Sequence, residues 1–193
     1  MRFRPAVLLL ASSLYTGLLC TGFVCASAAT LEQLSTERMI DESTEIVRGT
    51  VSYCNYVYRA PMIWTVCEVN VTERFKGAES TGAAATKVQV AIPGGVASGY
   101  RQTFEGTPVL ARNSEYLFFL WQGKSGLKQI MGLSQGLLSI VKDQKGNALA
   151  VRPASAERMV NATGEPVQDL GWTSSIPDIA SRIQSRSMGR PTR

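Results

Sequence analysis

The chain has 193 residues, a formal net charge of +5 and no histidine. The charge is too small to make a case for nucleic acid. The missing histidine removes Ser–His and Cys–His nucleophilic pairs, and with them the commonest zinc and haem ligand.

The N-terminus reads as a targeting segment. Arg2 and Arg4 precede an apolar run from Pro5 to Cys25, which ends in Ala26-Ser27-Ala28-Ala29. Basic start, apolar stretch and A-x-A site together predict a secretory signal peptide cleaved after Ala28. An uncleaved anchor is the alternative, and Thr16, Gly17, Thr21 and Gly22 weaken it. Lipidation at Cys20 or Cys25 is disfavoured by the bulky Leu19 and Val24 before them. Cleavage leaves about 165 residues, enough for one domain with its own core. It also removes two of the twenty basic residues and no acid, so eighteen bases face fifteen acids and the net charge falls to +3. Cys54 and Cys67 are then the only cysteines. An even pair in an exported chain predicts a disulfide, and the spacing is not C-x-x-C.

Thr30-Leu31-Glu32-Gln33 fits a capping box and predicts a short helix over about 31–41. The acidic run Asp41 to Glu45 reads as a solvated face or loop. From Ile46 the period is two. Strands are predicted over Ile46–Tyr58, Pro61–Phe75 and Lys87–Ile92, with a small-residue loop at 78–85. Residues 93–113 look irregular. The stretch from Glu115 to Trp121 is apolar on both faces, as in a central, doubly covered strand. Leu127–Leu133, Leu137–Val141 and Ala148–Val151 complete the set, and Asp143 to Asn147 turns between the last two. Beyond residue 154 only Val160, Val167, Leu170 and Trp172 could anchor the chain. A short helix follows from Pro177 to about Arg186, and a basic end from Ser185 is expected to be disordered. Many short strands between turns predict an all-β sandwich or barrel.

Four patterns then occur in order: Ile46-Val-Arg-Gly-Thr-Val51, Val71-Thr-Glu-Arg-Phe-Lys-Gly77, Val88-Gln-Val-Ala-Ile-Pro-Gly-Gly95 and Glu115-Tyr-Leu-Phe-Phe-Leu120. Together they resemble a group of small exported bacterial proteins and, more distantly, the netrin-like domains of tissue inhibitors of metalloproteinases. That resemblance covers roughly residues 46–141 and implies a mainly β, five- to seven-stranded OB-like barrel, here with a short helix at each end. It divides the chain into a signal peptide (1–28), a barrel domain (29–153) and an extended C-terminal segment (154–193). Inhibition does not carry over: that family chelates zinc through an N-terminal cysteine, and here none precedes Cys54 in the mature chain.

No cofactor, metal site or catalytic constellation is predicted. Glu105 with Glu115 is a formal carboxylate pair, but scattered surface acids explain them as well. Pro93 to Gly99 is glycine-rich without being a P-loop or a dinucleotide fingerprint. Arg182, Arg186, Arg190 and Arg193 form a solvated tail or touch an anionic surface. The aromatic group Tyr53, Tyr56, Tyr58 and Trp64 is the best surface candidate, with Tyr56, Tyr58 and Trp64 as its contacts. The same residues also suit half-buried strand positions. The leading expectation is a non-enzymatic exported domain that binds a protein or envelope component. The alternatives are an inhibitor of exported proteases or a carboxylate-based hydrolase.

A hairpin that places Cys54 opposite Cys67 sets Val57 opposite Trp64 and turns at Arg59-Ala60-Pro61-Met62. In that register Val47 and Val51 would face away from the core that takes Val69 and Val71. A one-residue bulge between Val51 and Cys54 removes the conflict, so a bulge or bend is predicted near Tyr53.

Overall fold

The computed structural model describes residues 30–77 and 86–188. The predicted signal peptide, the loop 78–85 and the last five residues lie outside them. Of the described residues, 51% are strand and 14% helix, which settles the mainly β class.

The first element is not the predicted helix. Thr30–Glu32 (β1) is a strand, and it pairs in parallel with Arg158–Val160 (β11). Tertiary partners override the local capping signal here. Gln33 N–H donates to the Val160 carbonyl, and the buried Gln135 side chain accepts from Leu34 N–H and donates to the Glu32 carbonyl. The helix starts later, at Thr36–Glu42 (α1), where Ser35 supplies the cap by accepting from Arg38 N–H.

Two long strands follow, Glu45–Arg59 (β2) and Met62–Lys76 (β3). They pair antiparallel through a turn at Ala60-Pro61, whose peptide bond is cis. Lys87–Pro93 (β4) lies beside β3, and Gly95–Ala97 (β5) pairs with Tyr100–Gln102 (β6) as a small separate hairpin. Residues 93–113 are therefore less irregular than predicted. Ser98 and Gly99 both have positive φ, the backbone that a tight two-residue hairpin turn needs.

Glu115–Gln122 (β7) and Lys128–Ile130 (β8) close a circuit. β2 pairs with β3, β3 with β4, β4 with β8, β8 with β7 and β7 with β2. The β4–β8 link is parallel and rests on one bridge, Ala91 with Gln129; the others are antiparallel. Beyond β7 the sheet continues through Leu137–Lys142 (β9), Ala148–Arg152 (β10) and Trp172–Ser175 (β13). Pro166–Val167 (β12) pairs with β11.

β7 is buried on both faces, as its sequence predicts. Tyr116, Phe118 and Leu120 face the inside of the ring with Val47, Val51, Val69, Val90 and Ile92. Leu117 and Phe119 face a second core with Ile46, Leu138 and Ala150. The helices cover that second core: Met39 and Ile40 from α1, and Ile176, Ile179 and Ile183 from Ile176–Met188 (α2). α2 runs past the predicted end, so Ser185 to Met188 are helical and not frayed. Arg186 pairs there with Asp41.

Two further expectations change. Glu45 is buried, not solvated: it forms ion pairs with Arg74 and Lys128, and burial together with Arg74 pushes the Lys128 ammonium pKa down. Leu170 does not anchor the C-terminal segment, being almost fully exposed. The buried anchors are Met159 and Asp169, whose carboxylate takes two bonds from the Arg152 guanidinium and others from the Ser155 and Gly171 amides.

Candidate functional site: the mouth of the strand ring

The ladder between β2 and β3 breaks register between Val51 and Tyr53. Val51 opposes Val69, but Tyr53 opposes Glu68, so Ser52 is the extra residue. Its hydroxyl donates to the Glu68 carbonyl. This is the predicted bulge, and it inverts the strand: odd positions face the ring interior before it, even positions after it. Cys54 and Cys67 thus become direct partners, with Cα atoms 4.0 Å apart and a disulfide between them. Past the disulfide the inward row continues as Tyr56 and Tyr58, opposite Thr65 and Ile63.

That row has run out of ring to fill. Tyr56 is 56% exposed and Tyr58 60%. Trp64 does not join them. It opposes Val57, and directly opposed residues share a face, so alternation sends it to the other side of the hairpin, where it is 8% exposed. Closeness in sequence grouped the three aromatics, and strand parity separates them. The outward face is mixed: Tyr53, Asn55, Arg59 and Glu68 share it with Val57 and Val66. Glu68 accepts from Lys87 and Tyr53, and the Lys87 ammonium holds its carboxyl below the ordinary carboxylate range.

The β5–β6 hairpin lies across the inward face of the tip. Gly94 N–H donates to the Ile63 carbonyl, the Thr65 hydroxyl to the Gly94 carbonyl, and Ile63 N–H to Gln102 Oε1. Gly95 is required where it sits: its φ is +139°, and a Cβ there would lie 2.5 Å from the Tyr56 ring. Nearby, Leu110 is buried in the ring interior. Ala111 N–H donates to the Tyr116 hydroxyl and Asn113 N–H to the Val51 carbonyl, which tie the loop down.

Two open cavities result. One, about 370 Å³, runs from the disulfide and Leu110 past Tyr56 and Thr65 to Arg101. The other, about 550 Å³, lies between Tyr58, Pro61, Ile63 and Tyr100. Arg101 and Gln102 line both, so the two form one groove at an end of the strand ring. Open mouths of this kind are common ligand sites. Tyr100, 75% exposed, forms the far wall. Sequence reading missed Tyr100 and Arg101. The available signal was Ser98-Gly99 between Val96 and Tyr100, a short hairpin pattern.

The carboxylate pair does not form a free acid and base: Arg48 grips Glu115 through Nε and an Nη at 2.8 and 3.2 Å. Among the described residues no cluster of three or more His, Cys, Asp or Glu could hold a metal, and no helix is long and apolar enough to cross a membrane. No family model matches this chain, and no curated protein matches it either.

Proposed function

We propose that this protein is an exported, non-enzymatic domain that binds a protein or envelope component through the groove bounded by Tyr56, Tyr58 and Tyr100. One observation carries the reading. These tyrosines stay exposed around an open groove whose walls are fixed by a disulfide and by backbone hydrogen bonds. Rigid aromatics at the rim of a preformed groove offer contact area at small entropic cost.

The ring supports an OB-like barrel as the scaffold. With β2, β3, β4, β7 and β8 counted as first to fifth, its circuit is first, second, third, fifth, fourth, and the third and fifth pair in parallel. The resemblance to small exported bacterial domains and to netrin-like domains fits that scaffold. A disulfide and a cleavable leader ending at Ala28 suit an oxidising compartment.

The test replaces Tyr56, Tyr58 and Tyr100 together with Ala. Circular dichroism should keep the β spectrum, and capture of partners from an envelope extract should be lost. A folded variant that captures the same partners overturns the reading.

A further inference from the structure

We propose that the occupant of this groove is an extended, acidic segment of a partner protein, with its carboxylate on Arg101 and apolar side chains in the two cavities. The inference rests on the binding reading above and names the chemistry of the partner.

Several polar groups of the groove are already engaged. Gln102 Oε1 is taken by Ile63 N–H. The Thr65 hydroxyl is spent on the Gly94 carbonyl, and the Thr107 hydroxyl on the Phe104 carbonyl. What remains is apolar wall, the Ser98, Thr103 and tyrosine hydroxyls, the side-chain N–H groups of Gln102 and one guanidinium. Among the described residues Arg101 is the only charged one lining either cavity, and no acid lines them. Among the described residues it forms no ion pair.

That inventory discriminates between ligand classes. A neutral polysaccharide can use the tyrosine faces and the free hydroxyls, but it carries no charge to pair with Arg101. A nucleic acid needs a row of cations along its phosphates, and the groove has one. A fatty acid matches one cation and an apolar surface, but it needs a deep tunnel. Here the disulfide and Leu110 close the floor, and Cys67 beneath is fully buried. A peptide in extended form suits a shallow groove. Its alternate side chains project to one side about 6.6–7 Å apart, and one carboxylate satisfies a guanidinium in a charge-assisted, two-point contact.

The experiment selects a phage-displayed random heptapeptide library on the intact disulfide-bonded protein. Enriched peptides should carry Asp or Glu flanked by apolar residues. Their synthetic forms should bind roughly tenfold or more weakly to Arg101→Glu, and to wild type when their acid is changed to its amide. Arg101→Lys, which keeps the charge but loses the two-point fork, should fall between wild type and Arg101→Glu. Arg101 is exposed, so its variants should melt with the wild type, which separates binding from folding. Failure to enrich, enrichment without acids, affinity indifferent to Arg101→Glu, or displacement of the peptides by oleate would each overturn the inference. The two levels stay distinguishable through the envelope extract. If the tyrosine variant loses capture while Arg101→Glu keeps it, the groove reading stands and the acidic peptide falls. If neither loses capture, the groove reading itself falls.

Discussion

Below Ser52 the β2–β3 hairpin walls the core, with Val47, Val51 and Val69 buried inside the ring. Above it, the same two strands carry Tyr56 and Tyr58 into solvent. The strands pair on both sides of the bulge, and the base is the less regular half, with further register shifts at Ile46/Val47 and Arg48/Gly49, so pairing does not explain why the base is the better buried one. What differs is the source of order. The base is held by apolar burial from neighbouring strands. The tip is held by a disulfide, a short turn and a small hairpin laid across it. Tyr56 and Tyr58 are thus free of packing duty, unlike the buried Ile63 and Trp64 beside them, and that freedom makes them candidates for contact with another molecule.

The largest test of this contrast acts on the base. Phe118 is fully buried at the centre of the ring, against Tyr116. Phe118→Ala should cost about 3–5 kcal/mol in urea unfolding, through lost transfer energy and the cavity left behind. A cost below about 1 kcal/mol would mean that the ring interior is not the main source of stability.

Removing the disulfide acts on the boundary. Cys54→Ala with Cys67→Ala opens a link that spans 13 positions. The chain-entropy account gives about 3 kcal/mol for a loop of that size. Hydrogen exchange should quicken mostly between Tyr53 and Val66, while amides near Val47 keep their protection. Equal loss at both ends would show that the hairpin is one cooperative unit, and the contrast would break.

A third test contrasts the tip with the C-terminal segment, which is anchored by charge. Arg152 and the Ser155 and Gly171 amides hold the buried Asp169 carboxyl at a pKa of about 2, below the ordinary 3.8. A depressed folded pKa stabilises the native state above the unfolded pKa. That contribution is lost as pH falls from about 4 through about 2, and it is on the order of 2 kcal/mol. Asp169→Asn should therefore be less stable than wild type at about pH 6, with the gap closing below about pH 2. A gap independent of pH would place the role of Asp169 in shape and not charge. Beside the tip, Glu68 is held below its ordinary range by the exposed Lys87, so any acid limb there should be smaller than that of Asp169.

These regions also differ in how far the sequence reveals them. The hairpin was legible down to its bulge because two constraints met there: cysteine pairing fixed one register, and the valines fixed the other. β7 was legible because an unbroken apolar run has few other uses. The first helix was misplaced because Gln135, about a hundred positions away, satisfies the backbone at Glu32 and Leu34, and no local signal shows that. Glu45 reads as a surface acid until Arg74 and Lys128 fold over it. The groove was half legible. Tyr56 and Tyr58 lie on one strand, but Tyr100 and the cation sit on a hairpin within a stretch that reads as loop, and the parity that removes Trp64 appears only once the register is fixed.

The smallest expected effect is the sharpest test of the contrast. Tyr58 lies on the inward row beyond the disulfide, opposite the buried Ile63. If the tip is ordered by its backbone and disulfide, Tyr58→Ala should change unfolding stability by no more than about 0.5 kcal/mol, as for a surface substitution. A tyrosine that packs as part of the fold would instead cost well over about 1 kcal/mol, comparable with loss of a buried apolar side chain. The substitution leaves Ile63, Gln102 and the bond from Ile63 N–H to the Gln102 side chain in place, so the rest of the groove keeps its shape. A small stability change with a large loss of partner capture would locate the cost in the contact itself. A large stability change would return Tyr58 to the core and leave the groove with one wall fewer.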